Sequence, residues 1–181
     1  MFTQSTYGPV WGALFTALLL AGCVTDIRLR RIPNLLVLLI AAGGLGYSLA
    51  AHSLGAAVGS SLAGLVLGFT VWIVFYLVGA IGAGDVKFFA AAGTWLGPSA
   101  TLRAALVTAL VGGVLAVVFL LRERRFGSTM ERMALAASSR SMSVLESPSG
   151  EKINVHARLP YGVAMAVGAL VVAWWPGLFV R

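Results

Sequence analysis

Charge is the scarcest property of this chain. Only 10% of its 181 residues are charged, where an ordinary soluble domain carries roughly 25%. A further 59% are hydrophobic, so there is too little polar surface to cover a soluble globule. Acid is scarcer than base: six aspartates and glutamates stand against thirteen lysines and arginines, for a formal net charge of +7. Taken alone that excess points toward nucleic acid. The basic residues, however, fall in short groups between apolar runs, the pattern of cytoplasmic membrane loops, and the partner this implies is a lipid bilayer rather than a nucleic acid. Cysteine is nearly absent. The single Cys23 excludes an intrachain disulfide and any cysteine-based zinc cluster, and no cofactor is expected. The first 25 residues hold no charged side chain. Leu20-Ala21-Gly22-Cys23 therefore only imitates a lipoprotein cleavage site, because a secretory signal begins with a basic region.

What is present is a succession of long apolar runs, with a mean hydropathy of +0.93. A helix crossing the hydrocarbon core needs about 20 mostly apolar residues. The expected architecture is all-α: a single membrane domain over residues 1–181, a polytopic bundle of about six transmembrane helices. The spans lie near residues 9–25, 32–50, 56–80, 86–97, 102–121 and 159–180. A polar loop, 26–34, follows the first. The 53 uncharged residues between Arg31 and Asp85 hold two spans, with His52-Ser53 at the turn. The fourth span is the shortest, closed by Gly97-Pro98. At about 1.5 Å per residue it reaches only about 20 Å, so it starts among the headgroups or crosses in part. Residues 122–158 form a serine-rich polar loop. Met130, Met133, Ala137, Val144 and Leu145 are spaced in it as on an amphipathic surface helix, and its composition fits disorder equally well.

Six spans put both termini on one side of the membrane and the segments around Asp26, residues 82–87 and 122–158 on the other. All the lysines and arginines except Arg103 and Arg181 fall on that second side. The positive-inside rule makes it cytoplasmic and the termini periplasmic.

All six acidic residues share the cytoplasmic side, and Glu123, Glu131, Glu146 and Glu151 belong to the long loop, where solvated surface charge accounts for them. Asp26 and Asp85 differ because each abuts a helix end, where a carboxylate at membrane depth costs roughly 2.5–3.5 kcal/mol. Asp26 has a plain alternative as a loop charge paired with Arg28, Arg30 or Arg31. Asp85 follows Gly82-Ala83-Gly84, and two glycines in that spacing allow unusual dihedrals or the close approach of another chain. Pro33 and Asn34 are placed to start the second helix. Lys87 either biases the electrostatics of Asp85 or snorkels to the interface. Pro160, Tyr161 and Gly162 open the last span, as cleft lining or as a helix start with an interfacial tyrosine.

Three segments taken together carry more than any one of them. Asp26-Ile27-Arg28-Leu29-Arg30-Arg31-Ile32-Pro33-Asn34, Gly82-Ala83-Gly84-Asp85-Val86-Lys87-Phe88-Phe89-Ala90-Ala91 and Leu159-Pro160-Tyr161-Gly162 resemble the signature segments of the prepilin peptidase family, in the same order and at cytoplasmic helix ends. The resemblance implies a multi-pass aspartic endopeptidase of the bacterial inner membrane that cuts the short basic leader from prepilins or pseudopilins, with Asp26 and Asp85 as its catalytic pair. The chain's length is similar to that of the stand-alone peptidases of Flp-type, tight-adherence pili. Larger relatives carry an N-terminal cytoplasmic segment, often with zinc-binding cysteines, and also N-methylate the new terminus, so peptidase activity without methylation is expected here. The chemistry is coherent by itself, since peptide hydrolysis by two carboxylates needs one ionised group to take a proton from water and one protonated group to polarise the carbonyl. Two rival classes remain: a small proton-coupled transporter, whose carboxylates belong near mid-membrane, and a non-catalytic scaffold of a secretion machine.

The basic asymmetry makes topology testable. Alkaline phosphatase fused within residues 122–158 is expected to be inactive and a fusion at the C-terminus active; an active loop fusion reverses the assignment.

Overall fold

The computed structural model describes residues 8–29, 31–122 and 161–175, the side chains of 119–122 excepted. All the described elements are helices: α1 (Pro9–Leu29), α2 (Asn34–Ala51), α3 (Leu54–Leu77), α4 (Ala83–Arg122) and α5 (Tyr161–Trp174). Four are long and apolar enough to cross a membrane, and α5 is a shorter apolar helix. Beyond Arg122 the long polar loop falls outside the described residues, as do Leu159 and Pro160.

The helix boundaries have local causes. Pro33 is extended (φ −61°, ψ 136°) and acts as the N-cap of α2. Its carbonyl accepts the N–H groups of Leu36 and Val37 at 3.0 and 3.2 Å, which starts the helix at Asn34 instead of residue 32. α3 stops at Leu77 because Gly79 enters the left-handed region at φ +77°. There Gly79 N–H donates to the Tyr76 carbonyl and Ala80 N–H to the Phe75 carbonyl, both at 2.9 Å; this paired closure satisfies two of the carbonyls that a helix end leaves over. α1 departs most from expectation. It continues to Leu29, so Asp26 lies in its last helical turn and not in a loop.

The expected fourth and fifth spans are the two arms of α4. A straight helix of 40 residues would run about 60 Å, twice the hydrocarbon thickness of about 30 Å. α4 is broken at Gly97, the one non-helical residue within it (φ 70°, ψ 175°), and Pro98 follows. Proline has no N–H to give to the carbonyl four residues back. That carbonyl, on Thr94, is instead bound by the Ser61 hydroxyl of α3 at 3.1 Å. The Thr101 hydroxyl donates to the Gly97 carbonyl at 2.6 Å. The carbonyl that Pro98 leaves without its helical donor is thus satisfied, as an apolar surrounding requires.

The first arm of α4 is the core of the bundle. Val86, every residue from Phe88 to Trp95, and Gly97 are buried, whereas the other long helices bury single faces. Three helices surround it. α1 meets it where Phe15 stacks on Trp95 with ring centroids 4.9 Å apart. From α2, Tyr47 stacks on the same ring at 5.9 Å and the Ile40 carbonyl accepts the Trp95 indole N–H at 2.7 Å. α3 meets it along Gly64, Gly68 and Trp72, the last lying edge-on to Phe89 at 5.7 Å. Gly64 and Gly93 pack backbone to backbone: a Cβ on Gly93 would sit 2.7 Å from the Gly64 carbonyl carbon. Such small-residue contacts drive helix association where lipid removes the hydrophobic incentive.

That contact generates a stability prediction. Gly93→Ala is expected to lower the thermal unfolding midpoint of the detergent-solubilised protein, by the equivalent of about 1–3 kcal/mol of overpacking. Gly59→Ala, which adds a methyl group where nothing lies within 4 Å, is expected to leave the midpoint unchanged. Equal midpoints for the two variants would disprove the backbone contact.

Candidate active site

Antiparallel packing of α1 on the first arm of α4 decides where the two aspartates fall. Phe15 meets Trp95, and two turns further along α1 a Cβ on Gly22 would strike the Phe88 ring, 2.8 Å from its Cζ. As α1 advances from 15 to 22, α4 retreats from 95 to 88. One more turn in the same sense reaches Asp26 on α1 and Asp85 on α4. The two carboxylates therefore stand at one end of the bundle, on facing helices, one turn beyond the Gly22–Phe88 contact. Both are half-buried.

Each is held by a backbone donor at a helix start. Asp85 is the third residue of α4, and its Oδ2 accepts the N–H of Gly82, the residue before the helix, at 3.1 Å. In return the Gly82 carbonyl accepts the N–H of Asp85 at 3.1 Å and that of Val86 at 3.4 Å. This is one half of a capping box, at the end of the helix dipole that favours an anion. Asp26 occupies the opposite situation at the C-terminal end of α1, where the dipole opposes an anion. Its donor comes from another helix: Gly162 N–H, in the first turn of α5, reaches Asp26 Oδ2 at 3.1 Å. The neighbouring Tyr161 phenol lies within electrostatic reach of Asp85. Its ring rests on Gly112 of α4, where a Cβ would sit 3.1 Å from Tyr161 Cε1.

Of the residues singled out in the sequence, Asp26, Asp85, Gly82, Tyr161 and Gly162 are brought together. Gly84 faces Ile32, with a Cβ position 3.8 Å from it. Pro33 and Asn34 are exposed at the start of α2, and Lys87 is exposed on α4. Pro160 lies outside the described residues. Sequence reasoning did not select Gly22, Phe88 or Gly112. Gly22 stands four residues before Asp26, on the same helical face, which is the signal that marks it in retrospect. No group of three or more histidine, cysteine, aspartate or glutamate residues that could hold a metal ion occurs among the described residues. Two half-buried carboxylates at one end of the bundle are suited to proton chemistry, because close like charges cannot both ionise cheaply.

A model of the type IV leader peptidase family matches residues 13–117, a stretch that contains both aspartates and exceeds half of the chain. The chain belongs to the type IV leader peptidase family. Among curated relatives it is similar to a prepilin leader peptidase/N-methyltransferase of Pectobacterium carotovorum subsp. carotovorum, 38% identical over 116 residues, which is 61% of this chain and 42% of the relative. It is likewise similar to a prepilin leader peptidase/N-methyltransferase of Aeromonas hydrophila, 36% identical over 125 residues, or 64% of this chain and 43% of that one. The chain thus spans less than half the length of these relatives. No solved structure matches it. The leader peptidase match ends before α5, so the Gly162 donor to Asp26 lies outside the stretch on which family membership rests.

Proposed function

We propose that this leader peptidase family member is an intramembrane aspartic endopeptidase that removes the leader from prepilins or pseudopilins at the cytoplasmic face of a bacterial inner membrane. The observation that carries the reading is the antiparallel register of α1 and α4, in which Asp26 and Asp85 stand one turn beyond the Gly22–Phe88 contact at one end of the bundle. The family match and the printed names of the two relatives support leader removal as the reaction. The reaction is hydrolysis alone, without methylation of the new terminus.

In this reading the pair shares one proton. The ionised member takes a proton from water as it attacks the scissile carbonyl, and the protonated member donates to the carbonyl oxygen. The apparent pKa values that govern the rate then belong to the pair and not to either residue. A transport role would call for carboxylates near mid-membrane, and the helix-end position of both aspartates favours the peptidase.

Asp26→Asn and Asp85→Asn are each expected to abolish leader cleavage by purified, folded protein, since each keeps side-chain size and removes an acid or a base. The double variant should be little worse than either single one, because residues acting as a unit are non-additive. The wild-type pH–rate curve should be bell-shaped. Near-normal turnover in either asparagine variant would remove that residue from the mechanism.

A further inference from the structure

The contact between α5 and Asp26 joins residues 136 positions apart. Gly162 is the second residue of α5, so its N–H is one of the first four in the helix that have no intrahelical acceptor. The acceptor it finds is a carboxylate, one of the two acidic side chains among the described residues. We infer that Gly162 is a positioning residue for Asp26: its amide holds the carboxylate through Oδ2, and its missing side chain is the space that the carboxylate occupies. The catalytic consequence rests on the two-aspartate reading proposed above, whereas the geometric claim stands without it.

Three features make the position specific to glycine and to this contact. A Cβ on Gly162 would lie 2.7 Å from Asp26 Oδ2 and 3.1 Å from its Cγ. Aspartate is too short to bend its carboxylate away while keeping the bond, so any larger residue at 162 must push the carboxylate off the amide. Nor is α5 free to back away. At its start the Tyr161 ring is seated on Gly112, and at its far end the Trp174 indole N–H donates to the Thr16 hydroxyl of α1 at 3.2 Å. Beside the contact, Cys23 Sγ lies 4.0 Å from the Gly162 carbonyl, so α1 meets both backbone polar groups of Gly162. The same first turn brings Tyr161 within electrostatic reach of Asp85.

The test uses the full chain in detergent, with two alterations at residue 162. Gly162→Ala introduces the clash. Replacement of glycine by glycolic acid turns the amide into an ester, deleting the N–H without adding an atom. Carboxyl modification by a hydrophobic carbodiimide is followed by mass spectrometry on the peptides containing Asp26 and Asp85. In both variants Asp26 is expected to react about tenfold faster, the scale of one lost hydrogen bond to a charged group, with Asp85 nearly unchanged. On a prepilin substrate kcat should fall about a hundredfold at unchanged KM, as expected for misplacement of about 1 Å. Gly93→Ala, a packing lesion away from Asp26, should leave the Asp26 reaction rate alone. An unaltered Asp26 rate in the ester variant overturns the inference, even if Gly162→Ala fails to fold, and so does an equal acceleration in Gly93→Ala. A wild-type protein that cleaves no prepilin yet shows the expected labelling pattern would leave Gly162 as the positioning residue and remove the peptidase reading instead.

Discussion

Everything in this bundle depends on how closely three helices can approach the first arm of α4. In lipid the hydrophobic effect gives helices no reason to prefer one another over acyl chains, and association has to come from packing and interhelical hydrogen bonds. From Phe88 to Trp95 the arm is buried all round, and contacts that surround it are made where side chains are missing. A Cβ at Gly22 would enter the Phe88 ring, one at Gly44 would meet Trp95, and one at Gly64 the Gly93 backbone. Each neighbour contributes at least one such gap, and the rings that fill those of α1 and α2, Phe88 and Trp95, belong to α4. The register of the aspartates is a by-product of that fit. Once Phe88 is seated on Gly22 and Trp95 on Phe15, Asp26 and Asp85 have no freedom to fall elsewhere along their helices.

Much of this arrangement was legible in the sequence and some of it was hidden for a definite reason. Uncharged runs mark what lies between membrane surfaces, so the helices themselves, the turn at His52-Ser53 and the break at Gly97-Pro98 could be read from where charge, glycine and proline fall. Hydropathy does not report which apolar helix faces lipid and which faces protein, since both environments select the same side chains. The shortest span accordingly reads as a marginal one and turns out to be the core. Asp26 reads as a loop residue because a charge ordinarily marks the end of a span. Here α1 runs on to Leu29, and a donor from α5, 136 residues away, meets the carboxylate. No local pattern encodes a partner at that distance. The aspartates themselves were legible because they are rare, and the glycines beside them because only a helix start or a close approach accounts for Gly82-Ala83-Gly84 ahead of Asp85.

The two ends of the arm are finished in different materials. Around Trp95 the contacts are aromatic: Trp11 lies edge-on at 6.2 Å, Phe15 and Tyr47 stack on the ring, and the indole N–H is bound to the Ile40 carbonyl. Such stacked and edge-on pairs add to burial and fix ring orientation, so this end resists both sliding and rotation of α4. At the aspartate end each carboxylate accepts a hydrogen bond from a backbone amide at a helix start. The rigid end sets the register, and the polar end converts it into a spacing between two acids.

Backbone amides are well chosen for that second task. A carboxylate held by lysine, arginine or histidine is tied to a charge, and moving a proton on or off it changes the strength of the tie by the full Coulomb interaction of the pair. An amide N–H carries no net charge and does not titrate in the range where aspartates do. Its hydrogen bond to Oδ2 weakens on protonation of the carboxyl group but is not abolished, because the oxygen keeps acceptor capacity. On the two-aspartate mechanism proposed above, the Gly162 amide on Asp26 and the Gly82 amide on Asp85 are contacts that persist as a proton passes between the carboxylates. Any pair of acids that must pass through both protonation states in each turnover has the same requirement, and a helix start is the cheapest place in an apolar bundle to find a donor that meets it, since its first N–H groups lack partners in any case.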